Sequence, residues 1–214
     1  TEAVRGNVAI LINQEGKRFI NELQTRDVVS AAELQQTGKV GYLVFDNSVR
    51  RSLKAIETYI KKKLVTEGTT LDELAKKLNI NADNLKATID QYAKFQAAKK
   101  DDAFGRADMP RPLTQGPWYA VQVTPAVHHT MGGLRINSEA QVLNKKGNVI
   151  PGLFAAGEVT GGVHGANRLG GNAMADIVTF GRIAGRNAAL HPTEVIVSRG
   201  QNPKDAETAT AEGK

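Results

Sequence analysis

The stretch Gly152-Leu153-Phe154-Ala155-Ala156-Gly157-Glu158-Val159, continuing through Gly161-Gly162-Val163-His164-Gly165-Ala166-Asn167-Arg168-Leu169-Gly170-Gly171-Asn172-Ala173, decides how this chain is read. It predicts a short buried strand ending in Gly-Glu, then a glycine-rich loop, then a helix starting near Ala173. A strand that delivers glycines onto a helix N-terminus lets backbone N–H groups meet a flat, polar, anionic ligand. His164 and Arg168 lie inside the loop, where a cofactor edge and a substrate carboxylate could be held side by side. Glycines in such a loop are ordinarily turn residues. Here Gly152, Gly157, Gly161, Gly162, Gly165, Gly170 and Gly171 crowd together with few charges between them, which favours a ligand loop over solvated turns.

Upstream of this stretch, Lys146-Gly147-Asn148 predicts a turn before Val149-Ile150-Pro151-Gly152, and Leu134–Asn137 and Ala140–Leu143 read as strands. Before them stand His128, His129, Thr130 and Met131, leading into Gly132-Gly133. Downstream, 172–189 reads as a helix whose Ala175, Gly181, Ala184 and Gly185 permit close packing on a sheet. After Pro192 the pattern turns polar, and 200–214 is expected to be a mobile tail.

The first half alternates strands and helices. Val8 to Asn13, a turn at Gln14–Lys17 and Arg18–Asn21 predict a β-hairpin. Thr25 or Asp27 is placed to cap a helix over 28–36, which Gly38 ends. Val40–Asp46 reads as a strand, and 48–63 as a helix carried by Leu53, Ile56, Tyr59, Ile60 and Leu64. Thr70 and Glu73 are spaced as a capping box for a helix to Leu78. Asn81–Phe95 is a further helix, with Leu85, Ile89, Tyr92 and Phe95 as core. Asp101–Pro117 is a proline-rich connection, and Trp118–Pro125 a strand.

A chain of 214 residues makes one large domain or two small ones, and 41% hydrophobic residues suffice for a core. The net charge of +6 comes largely from Lys61-Lys62-Lys63, Lys76-Lys77, Lys99-Lys100 and Lys145-Lys146, expected on solvated faces. With aromatics at 5%, these do not make a nucleic-acid footprint, though the field favours an anionic small substrate. The absence of cysteine excludes disulfides and thiolate chemistry, and four histidines form no metal-ligand pattern. No run of eighteen apolar residues is present, so no membrane span is expected. Cytoplasm and periplasm are both compatible with this composition.

A doubly wound nucleotide-binding domain opens with a strand, G-x-G-x-x-G and a helix. This chain has no such opening. Its glycine-rich region reads as the closing half of such a domain, so either the fold is new or the first half lies upstream or on another polypeptide.

Several ordered motifs carry a resemblance. Thr1-Glu2-Ala3-Val4-Arg5-Gly6, Asn21-Glu22, Thr25-Arg26-Asp27, Ala126-Val127-His128-His129-Thr130-Met131-Gly132-Gly133 and the block from Gly157 to Asp176 resemble the flavoprotein of soluble fumarate reductases. That is the flavocytochrome c-like branch of the FAD-dependent fumarate reductase and succinate dehydrogenase superfamily. The resemblance implies an α/β and α+β fold: the C-terminal portion of a capping (clamp) domain over 1–127, then over 128–192 the closing half of a Rossmann-like FAD-binding domain, and a polar tail over 193–214. It implies FAD as cofactor and a small dicarboxylate as substrate. It also implies an N-terminal FAD-binding half, or a second polypeptide, and an electron-donating haem or FMN module.

The same resemblance assigns roles. Arg26 matches the arginine that donates a proton to the substrate, and Glu2 and Arg5 the relay that returns it. His128 and Arg168 match residues gripping one carboxylate, with Thr1 near the other; Glu2 and the Gly171 backbone also lie at the substrate. His129, Glu158, Ala173 and Met174 match FAD contacts. Val8 stands where a glycine is expected. Taken without the resemblance, Glu2, Arg5 and Arg26 read as an ion-pair cluster.

Reduction of an activated double bond needs a hydride donor, a proton donor and cations that stabilise developing charge. Arg168 suits a carboxylate because its planar fork binds two oxygens, and His128 adds a hydrogen bond or a charge. An arginine is a weak acid, but a carbanion-like intermediate is a strong base. The expected reaction is fumarate to succinate; urocanate or an acrylate-type acid is the alternative substrate, and a non-catalytic fragment needing a partner half the alternative role. His164 is expected to pack or to bond to backbone.

Overall fold

The apolar runs at Ile10–Ile12, Tyr42–Phe45 and Trp118–Val121 meet in one antiparallel sheet. The computed structural model describes residues 2–191. Thr1 and the stretch from Pro192 onward, including the expected tail, lie outside the described residues. The chain divides into two units, Thr1–Ala126 and Val127–Lys214.

In chain order, the first unit holds α1 (Glu2–Gly6), β1 (Ile10–Ile12), α2 (Arg26–Leu34), β2 (Gly41–Asp46), α3 (Asn47–Ser52), α4 (Ala55–Lys61), β3 (Val65–Gly68), α5 (Leu71–Leu78), α6 (Ala82–Ala98) and β4 (Trp118–Val123). Its sheet has the order β1-β2-β4-β3, every neighbour antiparallel, with Leu11 opposite Leu43 and Val44 opposite Ala120. All six residues of β2 are buried, which is why its sequence is a continuous apolar run. The core adds Val49, Ile56, Leu74, Leu85, Ile89 and Tyr92 from the helices.

Local chemistry sets the helix ends. The Asp46 carboxylate accepts from Ser48 N and Val49 N and so starts α3. Thr70 Oγ1 accepts from Glu73 N, but the Glu73 carboxylate reaches Thr69 N and Thr69 Oγ1, so the capping box closes one residue earlier than its usual form. Asn81 caps α6 through Asn84 N. The predicted core positions Leu85, Ile89 and Tyr92 are buried and Trp118 joins them, while Leu64 is exposed. The paired lysines expected on solvated faces are all exposed.

Two expectations are corrected here. The hairpin turn forms, with Asn13 N donating to Lys17 O, but its second arm is a single bridge between Ile12 and Arg18. Arg18 and Glu22 leave the ladder for a buried ion cluster, and β1 pairs with β2 instead. The helix expected over 48–63 breaks at Leu53, whose backbone is extended, giving α3 and α4. The Asp101–Pro117 connection holds no helix or strand, as expected, and it contributes buried side chains to the core, Arg106, Met109 and Leu113 among them. Strand β3 had no distinct signal.

The second unit holds β5 (Leu134–Arg135), β6 (Gln141–Leu143), β7 (Val149–Phe154), β8 (Thr160–Gly161) and α7 (Asn172–Leu190). β5 pairs with β8 in parallel and β6 with β7 antiparallel. The strand before the glycine loop was expected to be buried; β7 is instead largely exposed, Leu153 by 44%. α7 packs against β7, yet a Cβ added at Gly181 or Gly185 would meet nothing within 4 Å. The glycines of α7 therefore make no close approach to the described strands. The architecture is mixed α/β, and no described helix is long and apolar enough to cross a membrane.

Candidate functional site

Helices α1 and α2 bring the predicted proton-handling residues together. Glu2 and Arg5 stand three apart on α1 and share a face. Arg26 opens α2 behind Thr25, which holds the N-cap position with extended backbone but no side-chain capping bond. Arg26 Nε and Nη2 donate to the two oxygens of Glu2, a fork on a carboxylate, with Nη2 to Oε2 at 2.7 Å. The Arg26 hydrogen bond holds the Glu2 carboxyl below its ordinary range, Arg5 adding to the effect, and the reciprocal bond raises the Arg26 guanidinium. Arg26 and Glu2 are partly exposed, so the pair contributes little stability. Thr1 lies outside the described residues.

The segment leading into α2 is anchored by charges the sequence did not reveal. Glu22, fully buried, accepts from Arg18 Nε (2.7 Å), Arg106 Nη1 (3.2 Å) and Leu11 N (3.1 Å). Arg18 Nη2 also donates to Asp101 (2.9 Å), and Arg106 Nη1 to Ala9 O (3.0 Å). The i,i+4 spacing of Arg18 and Glu22 was the visible signal; their partners stand some eighty residues away in sequence.

In the second unit the His-His-Thr-Met-Gly-Gly run faces the Gly157–Gly162 stretch. Thr130 N donates to Glu158 Oε1 at 3.2 Å, and His129 Nδ1 lies 3.7 Å from Glu158 Oε2. A cavity of about 560 Å³ opens between Gly132-Gly133 and Gly161-Gly162, with Arg135, Val163 and Phe180 on its wall. Arg168 is buried, with Nη1 donating to Leu169 O at 3.2 Å. Gly171, at φ +84°, is the N-cap of α7 with no side-chain cap; Ala173 and Met174 form the first turn, Met174 exposed. His128 is exposed.

His164 was expected to pack or bond to backbone. Its Nε2 lies 3.0 Å from Oδ2 of the buried Asp176, a side-chain partner twelve residues on. The His129 and His164 rings meet edge to face at 5.7 Å. Asp176 carried no local signal, because its partner His164 stands twelve residues earlier, in the loop.

These features fit a flavin cofactor. Gly162 and Gly171 turn the chain at positive φ, and a Cβ there would meet nothing within 4 Å, which leaves room beside the backbone for a flat ligand. The partly exposed Glu158 carboxylate can accept from a ribityl hydroxyl or a ring N–H. Residues 1–174 match the family described as FAD binding domain. The chain belongs to that family. FAD is accordingly its cofactor.

Relatives within this FAD-binding family carry reductase names. The chain is 56% identical over 191 residues to a "Fumarate reductase (cytochrome)" of Shewanella frigidimarina, covering 89% of this chain and 34% of that protein. It is 47% identical over 190 residues to the "NADH:fumarate oxidoreductase" of Klebsiella pneumoniae (strain 342), covering 88% and 20%. A solved open conformation of a flavocytochrome c3 fumarate reductase matches with a TM-score of 0.71 at 51% identity, over 89% of this chain and 34% of that one. The chain thus spans about a third or less of the length of these relatives.

Proposed function

We propose that the complete protein is an FAD-dependent reductase of an α,β-unsaturated carboxylate and converts fumarate to succinate. Residues 1–127 belong to its capping domain and 128–192 to the closing half of its FAD-binding domain, with 193–214 a polar tail. An N-terminal FAD-binding half, on the same or a second polypeptide, completes the flavin site. A haem or FMN module feeds it electrons.

FAD, when bound, supplies a hydride to one alkene carbon. His129, Glu158, Ala173 and Met174 hold the cofactor. His128, Arg168 and the Gly171 backbone grip one substrate carboxylate, Thr1 the other, so that charge developing on the substrate is met by fixed donors. Arg26 gives its proton to the second carbon, with Glu2 beside both it and the substrate. Glu2 and Arg5 return a proton to Arg26.

The observation that carries this reading is the two-pronged Arg26–Glu2 pair with Arg5 beside it, at the positions where the fumarate reductase resemblance places an acid and its relay. A substrate panel on the complete protein with reduced viologen dye tests it. Fumarate is expected to turn over fastest. Faster reduction of urocanate or acrylate reassigns the substrate, and no reduction of any unsaturated acid refutes the reductase reading.

A further inference from the structure

A buried carboxylate in the second unit has no part in the chemistry described so far. Asp176, early in α7, is 6% exposed. Its Oδ2 meets His164 Nε2 at 3.0 Å, while its Oδ1 is buried and accepts from no described group. A carboxylate only accepts, so the hydrogen of this bond sits on His164 Nε2. Burying a carboxylate with one oxygen unsatisfied costs folding energy. What it secures is a ring: with Nε2 pinned, His164 is held in one orientation and, when neutral, one tautomer. That ring stands edge to face against His129, with centroids 5.7 Å apart and planes at 72°. The His129 side chain is itself nearly buried, and its Nδ1 lies 3.7 Å from Glu158 Oε2. Asp176, His164, His129 and Glu158 thus form one contact series from α7 to the turn before β8.

We propose that Asp176 and His164 are positioning residues that set the His129 ring for the flavin. The inference rests on the reading of His129 as an FAD contact. Asp176 fixes His164, and the His164 ring keeps His129 turned toward Glu158. His129 and Glu158 then present their polar atoms already ordered, which lowers the entropy cost of taking up the cofactor. Asp176 and His164 act through His129, and neither makes or breaks a bond. A clasp that merely tied the loop to the helix would behave otherwise. His164 and Asp176 flank Arg168 and Gly171 in the sequence, so losing a clasp would loosen the grip on the substrate carboxylate rather than on FAD.

The test is a double-mutant cycle for FAD binding in the complete protein. The dissociation constant is read by fluorescence titration of the apoprotein with FAD, for wild type, Asp176→Asn, His129→Phe and the pair combined. Asp176→Asn is expected to weaken FAD binding at least about tenfold, and His129→Phe at least as much. The combined variant should bind within about twofold of His129→Phe alone, because Asp176 has nothing left to position. Nitrogen NMR of the histidine-labelled protein should show the hydrogen on His164 Nε2 in wild type and a changed tautomer balance in Asp176→Asn. Additive losses in the cycle overturn the proposal. So does a raised KM for fumarate in Asp176→Asn with FAD affinity unchanged, which marks the clasp. His164→Gln keeps a donor for Asp176 but removes the ring, and takes the place of Asp176→Asn under the same thresholds should that variant not fold. Wild-type FAD affinity in His129→Phe overturns the flavin-contact reading and this proposal together; a weakened His129→Phe beside an unaffected Asp176→Asn overturns this one alone.

Discussion

Gly133 and Gly161 lie backbone against backbone. A Cβ on Gly133 would fall 2.3 Å from Val159 O, and one on Gly161 would fall 2.5 Å from Gly133 N. The parallel pairing of β5 with β8 begins at this contact, since Leu134 sits opposite Thr160. The glycines that end the His-His-Thr-Met-Gly-Gly run thus have a packing reason at Gly133, while a Cβ on Gly132 meets nothing within 4 Å.

Gly133→Ala is therefore expected to lower stability by about 1–3 kcal/mol and to weaken FAD retention, because the cavity wall must shift. Gly132→Ala should do neither. Thermal unfolding and the flavin absorbance kept after desalting measure both. Equal behaviour of the two variants would contradict the backbone contact.

Val8 is buried with φ +77°, a conformation that strains a β-branched residue. Here the resemblance led to an expectation of glycine. Val8→Gly relieves backbone strain of about 1–3 kcal/mol and forfeits side-chain burial of about 1.5–3 kcal/mol. The two effects nearly cancel, so the variant should stay within about 1 kcal/mol of wild type in urea unfolding. Val44→Gly, buried in β2 without such relief, should lose at least about 2 kcal/mol more.

Glu22 binds two arginines with no water-facing surface. Glu22→Gln leaves those cations underpaired and should cost about 3–5 kcal/mol, whereas Glu57→Gln at the exposed Arg50 pair should cost far less. Burial works to raise the Asp101 carboxyl, but Arg18 and the N–H groups of Phe104 and Arg106 outweigh it, and the net shift is downward. Its contribution to stability is full above the ordinary aspartate range near pH 4 and disappears as pH falls through the depressed value. Acid unfolding should therefore set in at higher pH when Arg18→Met removes that partner.

Glu73 is held down to about 2 by Lys77 and by the Thr69 hydroxyl and N–H. Its stabilising effect is present above the ordinary glutamate range near pH 4.3 and is lost as pH falls through about 2. Carboxyl carbon NMR should show Glu73 titrating well below the ordinary glutamate range, and Lys77→Ala should move it upward. A Glu73 midpoint among those of ordinary glutamates would show that the helix cap does not form.

Much of the first unit was legible because its signals are local. Thr70 and Glu73 announced α5, and the apolar run at Tyr42–Phe45 announced β2. The glycine loop with Arg168 was legible from its residues, whereas Glu2, Arg5 and Arg26 were singled out only through resemblance, since they carry no spacing that names a chemistry. Partners distant in sequence stayed hidden. Arg106 sits in a proline-rich connection with no periodic pattern to mark it as core, yet it is buried against Glu22 and Ala9. The break between α3 and α4 was missed because Leu53, Ile56 and Ile60 keep helical spacing across a residue whose backbone is extended. The strand before the glycine loop was read as buried from its apolar content, but periodicity reports what a residue could bury and not what covers it.

The most direct measurement of the central claim compares Arg26→Ala with wild type in the complete FAD-loaded protein, by fumarate reduction and by flavin content together. The account predicts a fall in kcat of at least about a hundredfold with flavin still bound. An Arg26→Ala protein that keeps both its flavin and its full rate would contradict it.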